Sequence, residues 1–247
     1  MTKGSEFQGK VALVTGASGG IGYAIATALA AELATLALAY GSRPEPAERL
    51  AAEITNRGAR AIAFGADLRS ATAPEELVDA VEGTLGAIDV LVANAGTGPI
   101  ASHETVDAAM FDETLAVNLR APYLLARRAL PGMIDRGFGR ILFMSSVAAF
   151  TGGIVGPHYA ASKAGLHGLT HYLASRSASS GVTVNAIAPA LIADTGMLPG
   201  NQDQLATRIP VGRLGTTAEV AQLTVAVLRN GYLTNQVISI DGGIHPR

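Results

Sequence analysis

Lys10-Val11-Ala12-Leu13-Val14-Thr15-Gly16-Ala17-Ser18-Gly19-Gly20-Ile21-Gly22 is the stretch that decides the architecture. Its first six residues are apolar on both faces, the pattern of a central parallel strand. A glycine-rich turn follows, and then a helical segment over residues 23–33. Strand, glycine turn and helix in that order make a phosphate cradle. Glycine lets the backbone approach a pyrophosphate, and the helix N-terminus supplies N–H groups and the positive end of its dipole. The spacing is Gly-x-x-x-Gly-x-Gly rather than Gly-x-Gly-x-x-Gly. A glycine turn with no ligand is the bland alternative.

The same alternation continues outward. Strand patterns stand at residues 35–40, 59–65, 88–93, 140–146, 182–188 and 236–240. Helical patterns stand between them at 46–57, 74–85, 105–136 (interrupted near Pro122 and Pro131), 159–179 and 217–229. Such regularity predicts one α/β domain over residues 10–247, a doubly wound parallel sheet of about seven strands with helices on both faces. Ligands of such sheets lie beyond the carboxyl ends of the strands, where Thr15, Asp67 and Asn94 fall. Residues 150–157 read as a Gly-rich loop, and residues 189–213 as a lid or disordered segment. Residues 1–9 read as a flexible N-terminus, in which Gly4-Ser5-Glu6-Phe7 looks vector-derived.

Composition excludes several functions. The chain carries 18 basic and 20 acidic residues, so nothing draws it to nucleic acid or an anionic membrane. It has no cysteine, which removes disulfides, thiolate metal sites and Cys nucleophiles. No metal site is expected. With no signal-like N-terminus and no membrane span, a cytoplasmic location is expected. Only 15% of residues are charged, which points to surface covered by identical subunits.

Tyr159-Ala160-Ala161-Ser162-Lys163 places a phenol and an ammonium one helical turn apart on one face. A nearby cation stabilises a phenolate and lowers its pKa, which would make Tyr159 a proton donor and acceptor. Tyr and Lys at this spacing are more often mere helix neighbours. At the end of the second strand a fold of this kind carries an acid when the ribose has a free 2′-hydroxyl. Here the segment is Tyr40-Gly41-Ser42-Arg43, with no acid; Ser42 and Arg43 suit a 2′-phosphate, so NADP(H) is favoured over NAD(H). Asp67 can accept from an adenine amino group or cap a turn.

Four signals stand in one order: Thr15-Gly16-x-x-x-Gly20-Ile21-Gly22, Asn94-Ala95-Gly96, Ser146, and Tyr159-x-x-x-Lys163. Together they resemble the short-chain dehydrogenase/reductase family, a Rossmann-type fold, over nearly the whole chain. The layout looks most like 3-oxoacyl-(acyl-carrier-protein) reductases, through Asn118-Leu119-Arg120-Ala121-Pro122 and Ile240-Asp241-Gly242-Gly243. The resemblance implies hydride transfer between nicotinamide and a carbonyl or alcohol, with Asn118, Ser146, Tyr159 and Lys163 as catalytic residues. Ser146 stands 13 residues before Tyr159, the family's spacing; Ser145 would stand 14 before it. Implied cofactor contacts are Gly16, Ser18, Gly20, Ile21, Gly22, Ser42, Arg43, Asp67, Leu68, Asn94, Ala95, Gly96, Tyr159, Lys163, Pro189, Ile192 and Thr195.

Other consequences follow from the same likeness. The substrate would be a small carbonyl compound, thioester-linked in the nearest group, against an apolar wall of Phe150, Ile154, Val155, Leu191, Met197 and Leu198. A homotetramer would form through the two long helices. Family members that prefer NADPH often have a basic residue where this chain has Gly19. Ala190 replaces the glycine usual after the proline, and Leu33 replaces another family glycine. An NAD-dependent alcohol dehydrogenase, and a nucleotide-binding regulator without chemistry, are the rival readings.

Overall fold

The computed structural model describes residues 6–32, 34–196, 198 and 202–245. Leu33 and Met197 lie outside them. Seven parallel strands form one sheet in the order β3-β2-β1-β4-β5-β6-β7: β1 Val11–Thr15, β2 Thr35–Tyr40, β3 Ala61–Gly65, β4 Ile88–Ala93, β5 Gly139–Met144, β6 Val182–Pro189 and β7 Val237–Ile240. The order reverses at β1, which pairs with both β2 and β4. That switch point opens a crevice at the carboxyl ends of the two strands.

Alternate residues of each strand face opposite sides of the sheet. Ala12 and Val14 of β1 join one core with Ile25 and Leu29 of α1 (Gly20–Ala31), Leu50 and Ile54 of α2 (Pro44–Asn56) and Val220 of α9 (Thr217–Arg229). Val11 and Leu13 join the other core, with Val81 of α3 (Ala73–Leu85), Leu125 of α5 (Ala121–Asp135) and Leu166 of α7 (Pro157–Ser177). Each fully buried Leu or Ile side chain stabilises the fold by roughly 1.5–3 kcal/mol. The remaining helices are α4 (Ala108–Leu115), α6 (Ala148–Thr151) and α8 (Gln202–Ala206).

Several expectations are corrected. The N-terminal segment is not a loose tail over residues 6–9. Phe7 is fully buried in the first core, and the Glu6 carboxylate meets the buried Arg140 guanidinium at 2.8 Å. An apolar ring and an ion pair tie that segment down, which a composition-based reading of a polar terminus misses.

The helix expected over 105–136 is two helices around a π-helical turn at Ala116–Arg120. It begins only at Ala108, because Asp107 accepts from the Met110 N–H at 2.8 Å as an N-cap. Pro122 supplies the physical reason for the break: it has no N–H to give the Asn118 carbonyl an ordinary helical bond. Pro131 lies inside α5 without ending it. Residues 150 and 151, expected to begin the Gly-rich loop, instead end the short helix α6, closed by Gly152 at φ +81°.

Of the stretch expected as a lid or disordered segment, residues 190–196 are tied down. Ile192 bridges Gly215, and the Ala193 N–H donates to the Gly215 carbonyl at 2.9 Å. Among the described residues, no helix is long and apolar enough to cross a membrane.

Candidate active site

A cleft of about 1020 Å³ lies across the carboxyl ends of the strands. Of the residues expected at the cofactor, Gly16, Ser18, Gly20, Ile21, Gly22, Ser42, Arg43, Asp67, Leu68, Asn94, Ala95, Gly96, Tyr159, Lys163, Pro189, Ile192 and Thr195 all line it, as does Ser146. Asn118 does not; it is fully buried behind the cleft.

The turn after β1 is built on backbone proximity. Gly16 has φ +67°, and a Cβ there would sit 2.9 Å from the Ala95 Cα. A Cβ on Gly22 would collide with the Gly16 carbonyl and stand 2.8 Å from Asn94 Nδ2. The Thr15 hydroxyl accepts from the backbone N–H groups of Asn94 and Ala95 at 3.1 and 3.0 Å. Asn94 Nδ2 donates to the Thr15 carbonyl at 3.0 Å, so Asn94 also braces β1 against β4. Helix α1 starts at Gly19 with no side-chain cap, which leaves its first N–H groups turned to the cleft for an anion. This turn, which a Cβ on Gly16 or Gly22 would force apart, fits a dinucleotide pyrophosphate.

Gly20 has a second reason to be glycine: a Cβ would stand 2.5 Å from the Asp194 carbonyl. The loop after β6 therefore rests on the start of α1. Thr195 donates its hydroxyl to the Ile192 carbonyl at 3.1 Å, which orients that loop along the cleft.

At the far end of the cradle, both oxygens of Asp67 are engaged by Arg69, from Nε at 2.8 Å and Nη2 at 2.9 Å. The guanidinium holds the exposed Asp67 carboxyl below its ordinary pKa. The Arg69 N–H also bonds Asp67 Oδ1 at 3.1 Å, so the residue caps its turn as well as facing the cleft. Sequence reasoning missed Arg69, because a pair two residues apart in a loop leaves no periodic trace.

The proposed chemical groups come together on β5 and α7. Tyr159 is 8% and Lys163 4% exposed, one helical turn apart. Lys163 Nζ donates to the Met144 carbonyl at 2.8 Å and lies 5.7 Å from the centre of the Tyr159 ring. Ser146 Oγ accepts from the Ala148 N–H at 3.2 Å and stands on the cleft beside Tyr159, whose pKa it lowers. Ser145 points away: its hydroxyl donates to the Lys163 carbonyl at 3.1 Å and meets His167 Nε2 at 2.8 Å. The geometry thus separates the two serines that spacing left adjacent.

Electrostatics differ from the expected lysine effect. Burial pushes the Tyr159 phenol above its ordinary pKa, and the Ser146 hydroxyl pulls it part of the way back. Burial also pushes Lys163 down to about 8. Burial penalises the charged form of both groups, which raises the one and lowers the other.

This has a consequence for stability. Below pH 8 Lys163 is charged in both folded and unfolded chains, and the folded chain carries the burial penalty. Between pH 8 and its ordinary value of 10.5 the folded chain releases that proton first. The contribution of Lys163 to stability therefore rises with pH through this window, by a total of order 3 kcal/mol. Denaturant unfolding at pH 7.5 and 9.5 should show the rise in wild type and a smaller one in Lys163→Met.

Asn118 works from behind. Its Oδ1 accepts from the Thr97 N–H at 2.8 Å, and its Nδ2 donates to the Thr97 carbonyl at 2.7 Å and to Ser162 Oγ at 3.0 Å. Ser162 in turn donates to the Tyr159 carbonyl at 2.7 Å. Gly98 leaves room for the Tyr159 ring, since a Cβ would come 2.7 Å from Cδ2. Neither Ser162 nor Gly98 was singled out beforehand; both act only once distant segments meet.

On the other wall, Ile154, Val155, Leu191 and Leu198 line the cleft as expected. Phe150 does not. It turns to His167 and His245, with ring centres 4.6 and 5.6 Å away. Leu205, Arg208 and Ile244 line the cleft unannounced.

Residues 10–206 match the family model for the short chain dehydrogenases. An uncharacterized oxidoreductase, YmfI, of Bacillus subtilis is 35% identical over 96% of this chain and 99% of its own length. The 3-oxoacyl-[acyl-carrier-protein] reductase FabG of Staphylococcus aureus is 36% identical over 96% of this chain and 98% of its own. Among solved structures, a blue fluorescent protein from a metagenomic library in complex with NADPH superposes with a TM-score of 0.91 at 35% identity, covering 97% of this chain and 99% of that one. A nicotinamide-cofactor cleft, a Tyr–Lys helix and sequence likeness along almost the whole chain make this protein a member of the short-chain dehydrogenase family of oxidoreductases.

Proposed function

We propose that the chain reduces a ketone to a secondary alcohol with NADPH, the substrate being a 3-oxoacyl thioester or a ketone of similar shape. The observation that carries this is the meeting of Ser146, Tyr159 and Lys163 between a glycine cradle and an apolar wall. The bound cofactor supplies the hydride. Ser146 hydrogen-bonds the ketone oxygen and stabilises the charge that develops on it. Tyr159 gives its proton to that oxygen. The phenol is protonated at neutral pH, the form a reduction needs, and its burial raises its pKa further. Lys163, fixed by the Met144 carbonyl, places a positive charge near the phenolate left behind. The Asn118 carbonyl, denied its usual helical donor by Pro122, can hold a water that returns the proton by way of Lys163.

Ser42 and Arg43 in the cleft support NADPH, since an arginine suits a 2′-phosphate where an acid would suit a free hydroxyl. The name of the Staphylococcus aureus relative supports a 3-oxoacyl substrate. Gly19, where a basic residue would strengthen phosphate binding, favours the second reading, an NAD-dependent alcohol dehydrogenase. Steady-state turnover of a 3-oxoacyl thioester with NADPH and with NADH tests both. A preference for NADH overturns the cofactor assignment; no turnover with either overturns the reductase.

A homotetramer in the cytoplasm belongs to the same reading. Ala161, Gly168 and Tyr172 expose one face of α7, and a Cβ on Gly168 would meet nothing within 4 Å. Light scattering should give a mass near four chains, and a monomer would contradict this.

A further inference from the structure

The charged residues of the cleft fall into distinct groups. Asp67, Arg69 and Glu113 pair with one another, and Lys163 is buried on the Met144 carbonyl. Arg43 follows β2, at the end given to the cofactor. Arg208 remains, on the opposite side. Its segment packs over the end of β7, five strand spacings from β2 in the sheet order, or about 24 Å at the usual spacing.

Its position is built. After α8 the Arg208 N–H donates to the Leu205 carbonyl and the Ile209 N–H to that of Ala206, both at 3.1 Å. Ile209 is 4% exposed and rests on Gly242, where a Cβ would come 2.5 Å from its Cγ2. The Val211 N–H donates to the Gly242 carbonyl at 3.2 Å. Arg208 is thus held on an anchored turn among Leu198, Leu205 and Ile244. Among the described residues its guanidinium has no hydrogen bond or ion pair. Asp241, just after β7, has its oxygens on the N–H groups of Gly243 and His245 at 2.9 and 3.1 Å.

We propose that Arg208 is a specificity-determining residue that holds an anionic group, a carboxylate or a phosphate, at the far end of the ketone substrate from its reacting carbonyl. A guanidinium is always charged and presents a planar fork matched to both groups. Against an otherwise apolar wall it rewards a chain that is apolar in the middle and negative at its end. The proposal rests on the reading of the cleft as a ketone reductase and extends it to a substrate class.

The test compares charged and neutral ketones of equal length. One arm runs oxo acids from 4-oxopentanoate to 9-oxodecanoate against their methyl esters. The other runs a 3-oxobutanoyl thioester of phosphopantetheine against that of N-acetylcysteamine. The readout is the ratio of kcat/KM, charged over neutral, in wild type, Arg208→Lys and Arg208→Gln. A charge-assisted bond at an exposed site should give wild type a preference of about tenfold, carried by KM. Arg208→Gln should remove it, and Arg208→Lys should keep part of it. A loss in the first arm identifies a carboxylate, and in the second a phosphate.

Calorimetric titration of the same oxo acids into the NADPH complex of Tyr159→Phe gives a reading without turnover. It should show the same loss of affinity on adding Arg208→Gln. Equal loss for charged and neutral ketones, or no loss in either arm, overturns the proposal while leaving the reductase standing. If wild type neither turns over nor binds any of the ketones, the reductase reading fails and the proposal with it.

Discussion

Tyr159→Phe is expected to lower ketone turnover at least about 100-fold, as for loss of a positioned general acid, with NADPH affinity within about twofold of wild type. The change removes one oxygen and leaves the ring that Gly98 accommodates. The ring is 8% exposed and packs with Val155 and Ala148, so the fold should hold. What disappears is the one hydroxyl that Ser146 holds in the cleft with a proton to give. Stopped-flow reduction of a 3-oxoacyl thioester and fluorescence titration with NADPH measure the two quantities. Turnover within about tenfold of wild type would remove Tyr159 from the mechanism. A matching fall in NADPH affinity would make it a binding residue instead.

Asn118→Leu is expected to lower stability by about 3 kcal/mol or more and to abolish most turnover. Asn118 makes three hydrogen bonds while fully buried, two to Thr97 and one to Ser162. Leucine keeps much of the volume and satisfies none of these groups. Each polar partner left unpaired costs roughly 1–3 kcal/mol. The loss also unties the β4–α4 segment from the π-helical turn, and that segment carries Gly96 beside Lys163. Urea unfolding and amide exchange at Thr97 report the two effects. Unchanged stability together with unchanged exchange at Thr97 would show that the network is dispensable. Loss of turnover at full stability would instead show that the Asn118 side chain positions the site through Thr97 and Ser162.

Much of this was legible in the chain. Strand–glycine–helix at residues 10–22 requires only local backbone rules, and of the strand ends named with it Asp67 and Asn94 line the cleft while Thr15 is buried behind it. Helical spacing puts Tyr159 and Lys163 on one face, and only the resemblance to the short-chain dehydrogenases marks them as a catalytic pair. The errors share a cause. Phe7 looked like part of a disposable terminus because its burial depends on a core assembled from α1, α2 and α9. Phe150 looked like substrate wall because nothing nearby in the chain marks His167 and His245 as its partners. The predicted lowering of the Tyr159 pKa considered a neighbouring charge and not the burial of both side chains.

Periodicity and backbone chemistry act over a few residues, so they suffice for the order of strands and helices, the phosphate turn and the phenol–ammonium pair. Desolvation, close approach and hydrogen bonds between segments far apart in the chain exist only after packing. These settled which serine faces the phenol, why Gly20 and Gly98 must lack a side chain, how Asn118 supports the site from behind, and where Arg208 ends up.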